Sequence, residues 1–88
     1  MRIKTVRVTN LFEKHYRKLS KRVKEEAKKR ELIFRENPFD ATLRTHKLHG
    51  IDKEAYAFWI SHSSRIKFIF LDEERVLFLD IGTHDIYS

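Results

Sequence analysis

Three apolar, strand-like segments follow one another in the C-terminal half of the sequence, with only short polar turns between them. They span residues 55–61, 65–71 and 76–82. Short turns join antiparallel neighbours, so these segments predict an antiparallel meander. The last segment is almost continuously apolar, which is typical of a strand inside a sheet.

A strand, two helices and a further short strand are predicted before the meander. In order, they are a strand at 2–8, helices at 11–19 and 21–36, and a strand at 44–48. Asn10 and Glu13 have the spacing of a capping box, Ser20 is a good N-cap for the second helix, and Pro38 ends that helix. The order β-α-α-β-β-β-β predicts an α+β fold, with a helical hairpin packed on one face of a mostly antiparallel, twisted sheet.

The 88 residues are enough for one compact domain, which we place at residues 1–88. The sequence has no cysteine, which excludes disulfides, thiolate metal sites and thiol nucleophiles. No apolar run approaches the length of a membrane span, and the first residues do not resemble a signal peptide. We therefore expect a cytoplasmic protein without membrane association.

Charge is unevenly distributed along the chain. Residues 1–50 carry 15 basic and 6 acidic side chains, a balance of +9, whereas residues 51–88 carry 4 and 7, a balance of −3. One strongly positive face is typical of proteins that bind nucleic acid or an acidic protein. The candidate RNA contacts on the second helix are Lys21, Arg22, Lys24, Lys28 and Lys29. The alternative is a solvated basic helix without a ligand.

Four segments, in order, resemble motifs of the RelE/ParE superfamily of toxins. They are Leu43-Arg44-Thr45-His46-Lys47-Leu48-His49-Gly50, Tyr56-Ala57-Phe58-Trp59-Ile60, Arg65-Ile66-Lys67-Phe68-Ile69-Phe70 and Leu79-Asp80-Ile81-Gly82-Thr83-His84-Asp85-Ile86-Tyr87. The resemblance extends over essentially the whole chain. It implies the toxin of a type II toxin–antitoxin pair, and the histidine near the end is more similar to the YafQ and YoeB branches than to the ParE branch.

RelE-like members are messenger-RNA endoribonucleases that usually act in the ribosomal A site, whereas ParE-like members poison DNA gyrase. Cleavage of RNA by attack of the ribose 2′-hydroxyl needs a base, an acid and positive charge on the phosphate, but no metal or organic cofactor. Histidine suits the proton transfers and arginine suits the phosphate.

The resemblance assigns His84 to the catalytic histidine position and Arg65 to the residue that holds the scissile phosphate. His46 matches the first histidine of the YafQ pattern, and Tyr87 matches a tyrosine that stacks on a base or orients the phosphate. A structural role is the alternative for each of the four. The hypothesis requires the Arg65 guanidinium and the His84 ring to meet at one phosphodiester. Burial of either group beyond the reach of a polynucleotide, or their placement on opposite surfaces, would contradict the ribonuclease hypothesis.

Further residues support or complicate the candidate site. Lys47 and Lys67 are candidate RNA contacts, although strand alternation puts Lys47 and His46 on opposite faces, so that at most one of those two contacts the substrate directly. Thr83 and Asp85 flank His84 and are expected to orient its ring. The sequence departs from the YafQ pattern in two places, where a histidine is replaced by Ile60 and an aspartate by Ser64; His62 is close to Ile60 in the chain.

The resemblance also implies partners. They are an antitoxin with an acidic, partly disordered segment, which would form a hetero-oligomer with this chain, as well as messenger RNA and the ribosome. Two alternatives remain open at this point: a gyrase-directed toxin without nuclease activity, and an inactive domain that only binds RNA or protein.

Overall fold

The computed structural model describes residues 2–50 and 54–83. Its helices are α1, Asn10–Arg17, and α2, Lys21–Glu36, and a short 3₁₀ turn spans Ala41–Leu43. Its strands are β1 (Thr5–Val8), β2 (His46–Lys47), β3 (Ala55–Trp59), β4 (Arg65–Phe70) and β5 (Arg75–Gly82). The predicted order of elements is confirmed.

Both helices begin at a side-chain cap. The Ser20 hydroxyl accepts a hydrogen bond from the Val23 backbone N–H, as the sequence predicts for α2. For α1 the prediction of Asn10 is wrong, because Thr9 is the N-cap and its hydroxyl accepts from the Phe12 N–H at 3.0 Å. The Thr9 hydroxyl also donates to the Leu79 carbonyl at 2.7 Å, which ties the start of α1 to the sheet.

The five strands form one sheet in the order β1-β5-β4-β3-β2. Pairs among β2 to β5 are antiparallel, and β1 runs parallel to β5, so the sheet is mixed but mostly antiparallel, as predicted. β5 lies inside the sheet, and β4 is the central strand. The register shifts between Lys67 and Phe68, which leaves Leu79 of β5 as an extra residue in a β-bulge.

β2 is shorter than the predicted strand at 44–48. Arg44 has a φ of 51°, in the left-handed region, and therefore cannot extend the strand backwards. Its N–H donates to the Ala41 carbonyl as the last bond of the 3₁₀ turn. His46 and Lys47 then pair with β3, and the Leu48 N–H donates to the Ala55 carbonyl at 2.9 Å.

The main core lies between the helices and one face of the sheet. Phe34 of α2 is fully buried at its centre. The Phe34 ring stacks on Phe58, with centroids 4.6 Å apart, and meets the rings of Phe68 and Phe78 edge-on at 4.9 and 5.5 Å. Ile66 and Phe68 of β4 point into this core, as their spacing predicts. In the described part of the chain, no helix has both the length and the apolar character needed to cross a membrane.

Candidate active site

The sheet has a second face, opposite the main core, and it carries a row of polar side chains. His46 is paired with Ala57, Ala57 with Lys67, and Lys67 with Asp80. Directly paired residues share a face, so these four positions form one line across four strands. His46 and Lys67 are two strand spacings apart, or roughly 10 Å between backbones. Ala57 lies between them and is fully buried, in a small second apolar cluster with Leu48 and Ala55. We call this line of four residues the polar row.

His46 has a defined orientation in the polar row. Its side chain is exposed, and its Nδ1 lies 3.0 Å from the carbonyl oxygen of Arg44. Because a carbonyl can only accept, Nδ1 carries a proton, and in the neutral ring Nε2 carries the lone pair. The ring is thereby held in the tautomer in which Nε2 can accept a proton. Lys47 pairs with Tyr56 and lies on the opposite face, which confirms the predicted alternation.

Arg65 is not accessible, and the expectation that its guanidinium faces RNA is wrong. The residue is only 2% exposed. Its Nη1 donates to the carbonyl oxygens of Ser61 (2.8 Å), His62 (3.0 Å) and Ser64 (3.1 Å), and its guanidinium carbon lies 3.9 Å from the centre of the Trp59 ring. Arg65 is paired with Trp59, so both residues belong to the face of the sheet that strand alternation gives for Arg65, opposite to Ile66. The side chain folds back to hold the β3–β4 turn because three carbonyls converge there. Its Nε is buried and has no hydrogen-bond partner among the residues that the structure describes.

Several predicted residues lie outside the described part of the chain. These are His84, Asp85 and Tyr87. Thr83, which is exposed, is the last described residue before them. It follows Gly82, the β5 residue paired with Arg65. The structure therefore brings His46 and Lys67 into one row and gives no position for His84 relative to them.

The basic side chains of α2 lie on its outer surface. Lys21, Arg22, Lys28 and Lys29 are exposed, and Lys24 is partly buried. The Lys24 ammonium donates to the Arg17 carbonyl at 3.2 Å and lies over the Tyr16 ring at 5.7 Å. Four of these five side chains thus remain open to a large anionic partner, while Lys24 also connects the two helices.

The two departures from the YafQ pattern are structural positions. Ile60 is fully buried in the main core and Ser64 is almost buried. His62 is exposed on the β3–β4 turn, where its ring meets the Trp59 ring edge-on at 5.9 Å. It lies beyond the end of β3 and outside the polar row.

Two features were missed by the sequence analysis. The Nδ1 of His15 lies 2.6 Å from Oδ1 of Asp80, so that a half-exposed imidazole meets a largely buried carboxylate. An aspartate inside the apolar segment 76–82 was the signal for such a partner. Trp59 lies under two guanidiniums, because the Arg44 side-chain carbon is also 4.6 Å from its ring centre. No sequence pattern indicated that contact.

Comparison with known proteins identifies solved structures with the same fold. No family model matches the sequence, and no curated protein has significant sequence similarity to it. Solved structures do match: YafQ from Escherichia coli BL21(DE3) superposes with a TM-score of 0.75 at 20% identity, over 92% of this chain and 93% of that one. A YoeB/ParE toxin from Agrobacterium tumefaciens gives a TM-score of 0.77 at 14% identity, over 92% and 99%. The E. coli DinJ–YafQ toxin–antitoxin complex matches at 0.75 and 18% identity, over 98% and 97%.

These similarities extend over nearly the full length of each compared chain, and they include the helical hairpin and the sheet. The resemblance found in the sequence motifs is thus confirmed at the level of architecture. The chain has the RelE/ParE toxin fold, in the form found in YafQ and YoeB.

Proposed function

We propose that this chain is the toxin of a type II toxin–antitoxin pair and that it cleaves messenger RNA. Its fold, shared with YafQ and YoeB toxins, supports the toxin role. The observation that carries the nuclease proposal is the polar row, in which His46 and Lys67 flank the small Ala57. A phosphodiester at the surface beside this row would be within reach of the exposed His46 and the partly buried Lys67, but it would not contact Ala57, which is fully buried.

The proposed chemistry is attack of the ribose 2′-oxygen on the adjacent phosphorus. A base removes the 2′-hydroxyl proton, the bond from phosphorus to the 5′-oxygen breaks, and an acid protonates that oxygen. The products are a 2′,3′-cyclic phosphate and a 5′-hydroxyl. His46 accepts or donates a proton through Nε2, and His84 is the second proton-transfer group implied by the sequence resemblance. Lys67 supplies positive charge to the phosphate.

The burial of Arg65 contradicts the nuclease hypothesis in the form that depends on Arg65 and His84 at one phosphodiester. The proposal made here depends on His46 and Lys67 instead, and it gives Arg65 a different role. It is a positioning residue, because its hydrogen bonds fix the β3–β4 turn and its guanidinium stacks on Trp59. Trp59 is two residues after Ala57 on β3, next to the polar row. In this proposal Lys67, which is only partly buried, contacts the phosphate in place of Arg65.

The test compares His46→Asn with His49→Asn. Asparagine retains an N–H that can donate to the Arg44 carbonyl but cannot transfer a proton at neutral pH. We expect the rate of RNA cleavage to fall roughly 10²- to 10⁴-fold in His46→Asn. His49 is exposed and outside the described strands, so His49→Asn should cleave like the wild type. Equal cleavage by the two variants would exclude His46 from the chemistry.

The assay maps messenger-RNA 5′ ends after induction and repeats the cleavage with purified RNA, with and without ribosomes and with a metal chelator. A DNA gyrase supercoiling assay is run in parallel. New 5′ ends that depend on His46 and persist with the chelator support the proposal. Intact messages with arrested gyrase would instead identify a gyrase-directed toxin, and intact messages with normal gyrase would leave a binding domain.

The same proposal includes an antitoxin as partner. The DinJ–YafQ structure is a toxin–antitoxin complex with this fold, and the balance of +9 in residues 1–50 suits an acidic segment. Co-expression with the protein encoded beside this chain should yield a stable complex and abolish RNA cleavage. Separate elution of the two proteins on size exclusion would contradict this part of the proposal.

A further inference from the structure

Two neighbouring clefts flank the β3–β4 turn. One cleft, of about 640 Å³, lies between this turn and the start of α2 and includes Arg22. A second, of about 450 Å³, lies between the turn and the 3₁₀ segment and includes Arg44 and Trp59. Ser61 and His62 line both clefts, so the two are adjacent at the turn. We call the two clefts together the turn groove.

The turn groove carries uncompensated positive charge. Arg22 and Arg44 are exposed, and within residues 2–50 and 54–83 neither forms an ion pair with a carboxylate. Glu26 also lines the first cleft, and its carboxylate is 3.4 Å from Arg30 of the second cleft, which it partly neutralises. Among the lining residues, three arginines therefore face one carboxylate. Two arginines at separate points of one groove can each bind a phosphate through two parallel N–H donors.

The Arg44 side chain is held in place before any ligand arrives. Its backbone adopts a φ of 51°, which is unfavourable for a residue with a Cβ and persists because the 3₁₀ turn imposes it. Asp40 stabilises that turn by accepting from the Thr42 N–H (2.9 Å) and the Thr42 hydroxyl (2.7 Å). The Arg44 guanidinium then lies over Trp59, which Arg65 also contacts. A group fixed in this way loses little conformational freedom when it binds.

The side chains of the turn groove suit a nucleic-acid backbone better than an acidic peptide. Peptides in grooves are anchored by apolar side chains in apolar pockets. The exposed large apolar residues of the described chain are Val8, Leu11, Leu32, Phe39 and Leu71, and none lines either cleft. The groove instead offers arginines, serine hydroxyls and the flat rings of Trp59 and His62, which are groups that bind phosphates and bases.

The turn groove also continues from the polar row. Trp59 is two residues beyond Ala57 on β3 and on the same face, about 7 Å away along the strand. We propose that the turn groove binds the backbone of single-stranded RNA next to the phosphodiester held at the polar row. This inference rests on the proposed function for the identity of the strand, but binding can be measured without cleavage.

The test uses a fluorescent 12-nucleotide RNA with 2′-O-methyl groups, which cannot be cleaved through the 2′-oxygen. Its affinity is measured by anisotropy at several salt concentrations for the wild type and for Arg22→Gln/Arg44→Asn. Asparagine is chosen at residue 44 because it tolerates a positive φ. The control, Arg2→Gln/Arg75→Asn, removes the same charge from two exposed arginines outside the groove. Circular dichroism checks that both variants fold.

We expect the slope of log affinity against log salt to fall by about 0.7 for each groove arginine that contacts a phosphate. The control should keep the wild-type slope. Equal slopes in the groove variant and the control would overturn the inference. The inference would also be overturned if the groove variant bound a 20-residue polyglutamate peptide more weakly than the wild type but bound the RNA equally well. The groove would then be a surface for acidic peptides.

The outcome for the groove is separable from that of the proposed function. If the wild type cleaves no RNA, but oligonucleotide binding depends on Arg22 and Arg44, the nuclease proposal fails and the groove remains an RNA-binding site. If cleavage depends on His46 while oligonucleotide binding is unaffected by the two arginines, the groove inference fails and the nuclease proposal stands.

Discussion

Replacement of Arg65 by methionine tests whether this residue stabilises the protein or contacts the substrate. Methionine retains most of the apolar stem of arginine but loses the guanidinium. The change removes three hydrogen bonds from Nη1 and the stacking on Trp59. We expect the variant to be markedly less stable, because the β3–β4 turn loses its common donor.

The magnitude follows from the contacts. A hydrogen bond to a charged group contributes roughly 1.5–3 kcal/mol, and a desolvated cation–π contact contributes up to about 2 kcal/mol. The loss is smaller than the sum of these contributions. The Ser64 carbonyl still accepts from the Ile60 N–H, water can reach the carbonyl of the exposed His62, and the cost of burying a charge disappears. We therefore expect the free energy of unfolding to fall by about 3 kcal/mol.

Urea unfolding followed by circular dichroism measures this loss. With an m-value of roughly 1–1.5 kcal/mol/M, the midpoint should decrease by about 2–3 M. The control is Arg75→Met, which removes an exposed ion pair with Asp72 and should cost less than about 1 kcal/mol. Arg65→Lys retains the charge but not the planar stack, so it should recover at most half of the lost stability. A wild-type midpoint for Arg65→Met together with lost RNA cleavage would refute this reasoning and return Arg65 to the substrate.

Three further predictions concern the fold. Thr9→Ala should lower the free energy of unfolding by about 1–2 kcal/mol, whereas Asn10→Ala should change it little, since Thr9 is the cap; equal losses in urea unfolding would contradict this assignment. Phe34→Ala should cost about 3–5 kcal/mol because it opens a cavity among three aromatic rings. A loss below about 2 kcal/mol in thermal denaturation would contradict this and show that the core collapses into the space. The Arg75 side chain and nearby backbone N–H groups hold the pKa of Asp72 below its ordinary value, so its stabilising effect is complete above a pH of about 4 and is lost as the pH falls through the lowered pKa. Asp72→Asn should therefore flatten the pH dependence of the urea midpoint in that acidic range, and an unchanged profile would show that this carboxyl contributes nothing.

The helical and strand segments were largely predictable because their signals are local. Ser20 marks the start of α2 as a hydroxyl before a helical pattern, and the alternation in β4 gives the buried face of Ile66 and Phe68. The cap of α1 was misplaced because Thr9 and Asn10 are adjacent and both are good caps. The choice between them depends on the tertiary bond from Thr9 to Leu79, which no local pattern contains.

The candidate site was predictable only in part, because strand alternation gives the face of a side chain but not its contacts. It correctly separated His46 from Lys47. It could not show that the Arg65 guanidinium turns toward the carbonyls of its own turn, since that depends on the path of residues 60–64. The placement of Arg44 over Trp59 likewise depends on a left-handed residue.

The parallel pairing of β1 with β5 has a consequence for biosynthesis. The bond between Thr9 and Leu79 joins residues 70 positions apart in the sequence, and the strands on either side of it are equally distant. Contacts of such long range form late and slowly. While the ribosome is still translating the codons for β5, the first strand has no partner and the start of α1 lacks its anchor to the sheet. A nascent chain of this topology therefore cannot assemble its complete sheet, or any activity that needs it, before β5 has been synthesised.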